Sequence, residues 1–147
     1  MRQAAPRPVR RIIVAIVAVL TVVATSSGCN VNDSPEERED SNAVAAQIQE
    51  TLAQRPEVVE VKVTYQNNIS ASAVAGVTIT VKAGSDMEPV IEEAVRLLWL
   101  STLHPLGVIR IGANEVEAKQ RGIDRTINPT GADKAALEQK YGPRPPE

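Results

Sequence analysis

Two stretches in which apolar and polar residues alternate limit the fold more than any other feature of the chain. One stretch runs from Glu57 to Gln66 and the other from Val77 to Lys82. A period of two is typical of strands that bury one face and leave the other in water. Asn67-Asn68 favour a turn after the first stretch. The sequence therefore predicts an antiparallel pair of strands with one wet face.

Helical periodicity precedes and follows this pair. The first helix is predicted over Ser41 to Gln54, where apolar residues recur every four positions, and Pro56 prevents its continuation. The second is predicted from Ser85 to about Thr102, since Ser85 and Glu88 are spaced as a capping box. Each helix has an apolar stripe that must be buried against the sheet.

The remaining elements complete a small domain. Val108 to Ala113 predicts a third strand, the following residues are irregular, and Ala132 to Lys140 predicts a short terminal helix. The order is α-β-β-α-β plus that helix, which indicates an α+β fold, a small two-layer sandwich. We expect the domain to span residues 41–141 and residues 142–147 to be a disordered tail.

Composition restricts how this domain is stabilised. The chain has no Phe, one Trp and two Tyr, so the core must consist of Val, Ile, Leu and Ala. A single cysteine excludes an internal disulfide or a cluster of thiolate metal ligands. All 18 acidic residues lie beyond residue 30, and 12 of the 16 basic residues lie there too. This part of the chain therefore has a formal net charge of -6. That charge argues against nucleic acid as a partner.

The first 28 residues have the order of a secretory signal peptide. A basic segment is followed by the apolar run Ile12 to Ala24 and then by small residues that lead to Cys29. This run is shorter than the roughly 20 apolar residues that a membrane-spanning helix needs. Residues 1–28 are therefore predicted to be removed, and residues 29–40, which are rich in acids, to form a disordered tether.

Ser27-Gly28-Cys29 resembles the end of the signal peptide of bacterial lipoproteins, in which a lipobox precedes a cysteine that becomes lipidated. Ser26 departs from the family, which usually has Leu there, and ordinary cleavage near Ala24 or Ser26 is the alternative. The resemblance implies a diacylglyceryl group on the Cys29 sulfur. Such a chain is expected outside the cytoplasm, anchored to a membrane by lipid.

The predicted α-β-β-α-β order is similar to that of ring-building modules of secretion and sporulation assemblies, and of BON-type modules of envelope proteins. No sequence motif accompanies the similarity, and many functions share such folds. It implies a role in protein interaction or assembly and carries over no residues.

No arrangement of residues predicts catalysis, a cofactor or a metal site. His104 is the only histidine and has no carboxylate adjacent in sequence. Glu115, Glu117 and Asp124 follow the third strand, but their spacing fits no calcium loop and favours surface charges. We therefore expect no enzyme activity. A hydrolase is less favoured than either a protein-interaction domain or a carrier of a small ligand or lipid.

Apolar residues at the end of the second helix are the candidate interface. Trp99, Leu100, Leu103 and Leu106 cannot all face one sheet. An exposed aromatic among leucines concentrates binding energy, so Trp99, Leu100 and Leu103 are the candidates. The alternative is that Trp99 belongs to the core. Arg121 and Arg125 could meet an acidic partner, although ordinary surface charge is favoured.

The sequence thus predicts a membrane-anchored lipoprotein whose domain binds another envelope protein or itself. The alternative is a carrier of a small ligand or lipid, which requires a concave apolar cavity.

Overall fold

A computed structural model describes residues 33–68, 71–117 and 121–146. The predicted signal peptide and Cys29 lie outside these residues. Three helices and four strands occur in the order α1 Pro35–Ala53, β1 Val58–Gln66, β2 Val74–Val81, α2 Glu88–Trp99, β3 Val108–Glu115, β4 Gly122–Ile127 and α3 Lys134–Tyr141.

The four strands form one mixed sheet in the order β1-β2-β3-β4. β1 pairs with β2 and β3 with β4 in antiparallel fashion, whereas β2 and β3 are parallel neighbours. A parallel pair needs a crossover, and α2 provides it. α1 packs on β1, and α2 packs on β3 and contacts both other helices. The prediction of an α+β fold with a sheet that is polar on one face is confirmed.

The core lies between the helices and the inward side of the sheet. Val77, Ile79 and Val81 of β2 are nearly inaccessible to water, as are Ile109 and Ile111 of β3. These Val and Ile residues branch at Cβ and therefore suit both the strand and the packed layer.

A bulge in β1 breaks the predicted alternation. The register shifts between Val58, which pairs with Val81, and Glu60, which pairs with Thr80. Val58 packs against the core, and Val59 is the extra residue, 52% exposed. The period of two predicted from Glu57 to Gln66 would place Val59 on the same face as Val61, and the bulge shows that this is wrong.

α1 begins at Pro35, not at Ser41. The hydroxyl of Ser34 accepts a hydrogen bond from the Glu37 amide at 3.2 Å, and the Glu37 carboxylate accepts one from the Ser34 amide at 2.7 Å. This capping box, with Pro35 in the first turn, starts the helix inside the acidic segment. Residues 35–40, assigned to the disordered tether, are helical.

The start of α2 also differs from the prediction. The helix begins at Glu88, and the Glu88 amide donates to the Asp86 carboxylate at 3.1 Å. Ser85 makes no capping box, because the residue at the N-cap position is Met87, which has no side-chain cap. The helix ends at Trp99, three residues before the predicted end.

β4 corrects the prediction that the residues between the third strand and the terminal helix are irregular. Its inward positions are Ile123, Arg125 and Ile127, so a charged residue interrupts the apolar side of a six-residue strand. An edge strand this short gives little alternation to detect.

The C-terminal residues are not a free tail. The Gly142 carbonyl accepts a hydrogen bond from the Trp99 indole at 2.9 Å, and the Arg144 guanidinium donates to the carbonyl of Leu103. Residues 142–146 form no helix or strand, yet Gly142 and Arg144 tie them to the end of α2 and the loop after it.

Candidate functional site

Two of the three predicted interface residues are buried. Trp99 and Leu103 are each 1% exposed, and Leu106 is buried with them. After α2 the chain turns back toward the start of β3, and these apolar side chains fill the end of the core. The prediction that Trp99 and Leu103 form a surface interface is therefore wrong, and the core alternative for Trp99 is correct.

Leu100, the third predicted residue, is half-buried and lines a groove between α1 and α2. The groove has a volume of about 500 Å³. Its apolar side chains come from both helices: Val44, Ile48, Leu97 and Leu100. Its rim is polar and open, with Gln47, Glu50 and Thr51 on α1.

The acidic residues considered for calcium do not meet. Glu115 is 5% exposed and lies on the inward side of β3, 3.5 Å from the Arg121 guanidinium. Asp124 pairs in register with Gly112 on the outward side of the sheet. No group of three or more His, Cys, Asp or Glu side chains that could hold a metal occurs in the described ranges.

Both arginines considered for an acidic partner, Arg121 and Arg125, already have carboxylate partners within the chain. Arg125 lies 3.0 Å from Glu88 and 3.3 Å from Glu92, both on α2. Lys140 and the Tyr141 hydroxyl, on α3, also donate to Glu92. These hydrogen bonds, from Lys140 first and Tyr141 second, hold the pKa of Glu92 below its usual range. The cluster links β4, α2 and α3 and is structural.

The side of the sheet that faces away from the helices is exposed or half-buried along all four strands. Its positions alternate with the core positions along all four strands, and we call it the open sheet face. It comprises Glu60, Lys62, Thr64, Gln66, Val74, Gly76, Thr78, Thr80, Val108, Arg110, Gly112, Asn114, Gly122, Asp124 and Thr126.

Register aligns these residues in rows across the strands. One row is Lys62, Thr78, Gly112 and Asp124, and the next is Thr64, Gly76, Arg110 and Thr126. Each row thus has a glycine on a central strand and a charged side chain elsewhere. The sequence alone could not align these rows, because β4 was missed and the parallel pairing of β2 with β3 fixes the register.

Two glycines, Gly76 and Gly112, leave the middle of the open sheet face without large side chains. A Cβ at Gly76 would lie 2.8 Å from the Thr64 hydroxyl, and one at Gly112 would lie 3.1 Å from the Asp124 carboxylate. Small polar groups thus lean over both glycines from neighbouring strands. Larger side chains at these positions would crowd this surface, and the groups beside Arg110 are small and polar.

The charged groups of the open sheet face have no partners among the residues that the structure describes. Lys62, Arg110 and Asp124 each make no hydrogen bond or ion pair there. On the helix side, by contrast, Arg96 lies 2.7 Å from Glu93, and Arg125 has two carboxylates. Free charges of both signs therefore lie on this face, and α1 also carries exposed charges that make no ion pair within the described residues, such as Arg38 and Glu50.

No protein-family model, curated protein or solved structure matches the chain significantly. None of the helices within residues 33–68, 71–117 and 121–146 has the length and apolar character needed to span a membrane.

Proposed function

We propose that the chain is an extracytoplasmic lipoprotein, anchored to a membrane through lipid on Cys29, whose α+β domain is a protein-interaction module. The observation that supports the interaction role is the open sheet face with its unpartnered Lys62, Arg110 and Asp124. It is the surface that would contact the partner.

Charge placement is the physical basis of this proposal. Charged groups that attract a partner must be free to form ion pairs with it, and complementary charges give an interface its specificity and register. The helix side has several of its charges in internal pairs, such as Arg96 with Glu93. The open sheet face offers both signs of charge at positions fixed by strand register.

The position of α1 limits the distance between an anchored domain and the membrane. Between Cys29 and Pro35 there are the five residues 30–34, which reach at most about 18 Å when extended. The predicted tether, with the eleven residues 30–40 between Cys29 and the helix, would have reached about twice as far. In this proposal the domain therefore stays close to the lipid surface, where partners anchored in the same membrane meet it.

Anchoring and interaction are tested in the same cells. Metabolic labelling with a fatty acid should label the full chain, and Cys29→Ser should abolish the label and release the protein from membranes. A photo-crosslinking amino acid at Thr78, in the centre of the open sheet face, should give a discrete protein adduct in intact membranes.

Gln139 is the matched control position, since it is exposed on α3 away from the sheet. An adduct from Thr78 but not from Gln139 supports the interaction role. Equal adducts from both positions, or none from Thr78, would contradict it, and a labelled Cys29→Ser variant would contradict anchoring through that sulfur.

The groove between α1 and α2 supports the second candidate function, a carrier of a small apolar ligand or lipid. Leu97 and Leu100 lie half-buried in it, and its volume is within the range of ligand sites. A fluorescent fatty acid that binds the full chain, and is displaced by phospholipid, would favour the carrier. Leu100→Gln should then weaken binding, whereas Thr102→Ser, at the rim, should not.

A further inference from the structure

We propose that the partner of the open sheet face is a second copy of this chain. The proposal rests on the interaction role argued above and specifies the partner. Two copies pack face to face about a two-fold axis that runs parallel to the strands, midway between β2 and β3. Such a pairing is isologous, because the same surface is used by both copies.

The symmetry operation determines which residues meet. Rotation about this axis places β1 over β4 of the second copy and β2 over its β3, and it preserves the rows across the sheet. Lys62 and Asp124 are the two ends of one row. Lys62 therefore faces Asp124 of the second copy, and the symmetry makes the same contact twice.

The central strands are complementary in shape under the same operation. In one row Arg110 faces Gly76 of the second copy, and in the next Thr78 faces Gly112. Arg110 and Thr78 thus each meet a glycine, beside the Thr64 hydroxyl and the Asp124 carboxylate respectively. The Thr64 hydroxyl, which lies beside Gly76, is an acceptor for the guanidinium that arrives there.

The outer rows also place side chains of similar polarity opposite each other. Val74 faces Val108 of the second copy, and Thr80 faces Asn114. Glu60, at the rim of the face, meets Gly122 and remains in water. The apolar and hydrogen-bonding positions are thus matched without burying an unpaired charge.

An axis perpendicular to the strands gives no such match. It would lay each strand over its own copy, so that Lys62 would meet Glu60, Lys62 or Thr64, and Asp124 would meet Gly122, Asp124 or Thr126. No placement of this axis gives Asp124 a cation. Like charges that face each other are unfavourable. Charge complementarity therefore selects the axis parallel to the strands.

Sheet twist and size fit a dimer of modest affinity. Packed sheets cross at about 30°, which shifts the edge rows by roughly one residue, a distance that the Lys62 side chain can span. The face measures roughly 20 Å by 20 Å, so the two copies would bury on the order of 800 Å² in total, below the roughly 1,200–2,000 Å² of stable interfaces and in the range of weak, transient ones. Anchoring of both copies in one membrane raises their effective concentration and favours such a dimer.

A charge exchange across the interface tests the proposal. The full chain, purified from membranes in a density-matched detergent, is examined by sedimentation equilibrium over a range of concentrations. The unmodified chain should be a dimer at the higher concentrations. Lys62→Glu and Asp124→Lys should each weaken the dimer by about tenfold or more, since each change creates two repulsive contacts.

The double variant with both Lys62→Glu and Asp124→Lys should recover the dimer, because the opposite charges meet again with their signs exchanged. Glu50→Lys, an exposed change on α1, is the control and should leave the dimer intact. Circular dichroism of each variant tests whether it is folded, so that a weakened dimer can be distinguished from unfolding.

Three results would overturn the second copy as partner: an unmodified chain that stays monomeric throughout, single variants that dimerise normally, or a folded double variant that fails to recover. The Thr78 crosslink separates this failure from failure of the interaction role. An adduct with a different protein contradicts self-pairing and leaves that role standing, whereas the absence of any adduct contradicts both.

Discussion

At the scale of single residues, Glu92 joins three elements through its carboxylate. The Tyr141 hydroxyl donates to it at 2.5 Å, Arg125 lies 3.3 Å away, and Lys140 also donates. Because the side chain is 37% exposed, solvent screens these contacts, and we expect Glu92→Gln to lower the free energy of unfolding by only about 0.5–1 kcal/mol near neutral pH.

The effect of Glu92→Gln should depend on pH. The pKa of Glu92 is lowered in the folded state, so its contribution is present above the unfolded value of 4.5 and is lost as the pH falls through the folded pKa. Denaturant titrations of both proteins should therefore converge in acid. Glu50→Gln is the control, and a gap that stays constant below pH 4.5 would contradict the prediction.

Tyr65 gives the corresponding prediction in alkali. Its hydroxyl donates to the Pro105 carbonyl at 2.6 Å, and burial, helped by the charge of Asp33, raises its pKa to about 12. A raised pKa means that its contribution is complete below the unfolded value of 10.0 and is lost as the pH rises toward 12.

Tyr65→Phe should therefore lower the free energy of unfolding by about 1 kcal/mol near neutral pH, through the lost hydrogen bond. It should also lose less stability than the unmodified chain between pH 10 and 12. Parallel stability curves in that interval would show that Tyr65 ionises as freely in the folded protein as in the unfolded one.

At the scale of elements, the capping box makes the start of α1 testable. Ser34→Ala removes the acceptor for the Glu37 amide and should lower the free energy of unfolding by about 1 kcal/mol. Ser41, where the sequence placed the start, lies inside the helix. Ser41→Ala should be neutral or slightly stabilising, because Ala is the better helix former. If Ser41→Ala lowered the free energy of unfolding and Ser34→Ala did not, the helix would begin at Ser41.

The elements that the sequence predicted are those with a clear apolar period and little competition from local capping. The alternation of β1 and β2 and the stripe of α2 were sufficient to predict them. The start of α1 was missed because Ser41 offered an equally plausible cap, and the choice depended on the reciprocal bonds of Ser34 and Glu37. β4 was missed because Arg125 occupies an inward position and is accommodated by Glu88 and Glu92 of α2, a tertiary effect.

At the scale of the whole molecule, the candidate site depends on pairing between distant strands. The alternation predicted a polar face, but it could not say which polar residues share a row. Lys62 and Asp124 are 62 positions apart and meet the same row only through the pairings of β1 with β2, β2 with β3, and β3 with β4. The apolar end of α2 suggested an interface instead, since the segment that covers Trp99 lies more than 40 residues away.

That covering segment closes the core and gives the last prediction. Trp99 is buried beneath residues that follow α3, and the Arg144 guanidinium donates to the Leu103 carbonyl. Arg144→Ala removes a charged donor and should lower the free energy of unfolding by about 1.5–3 kcal/mol. Because Trp99 is the single tryptophan, loosening of this segment should also shift its fluorescence toward longer wavelengths before global unfolding. Arg38→Ala, exposed on α1, should change neither property. If Arg144→Ala leaves both the stability and the emission unchanged, these residues do not close the core, and Trp99 must be shielded by the sheet and α2 alone.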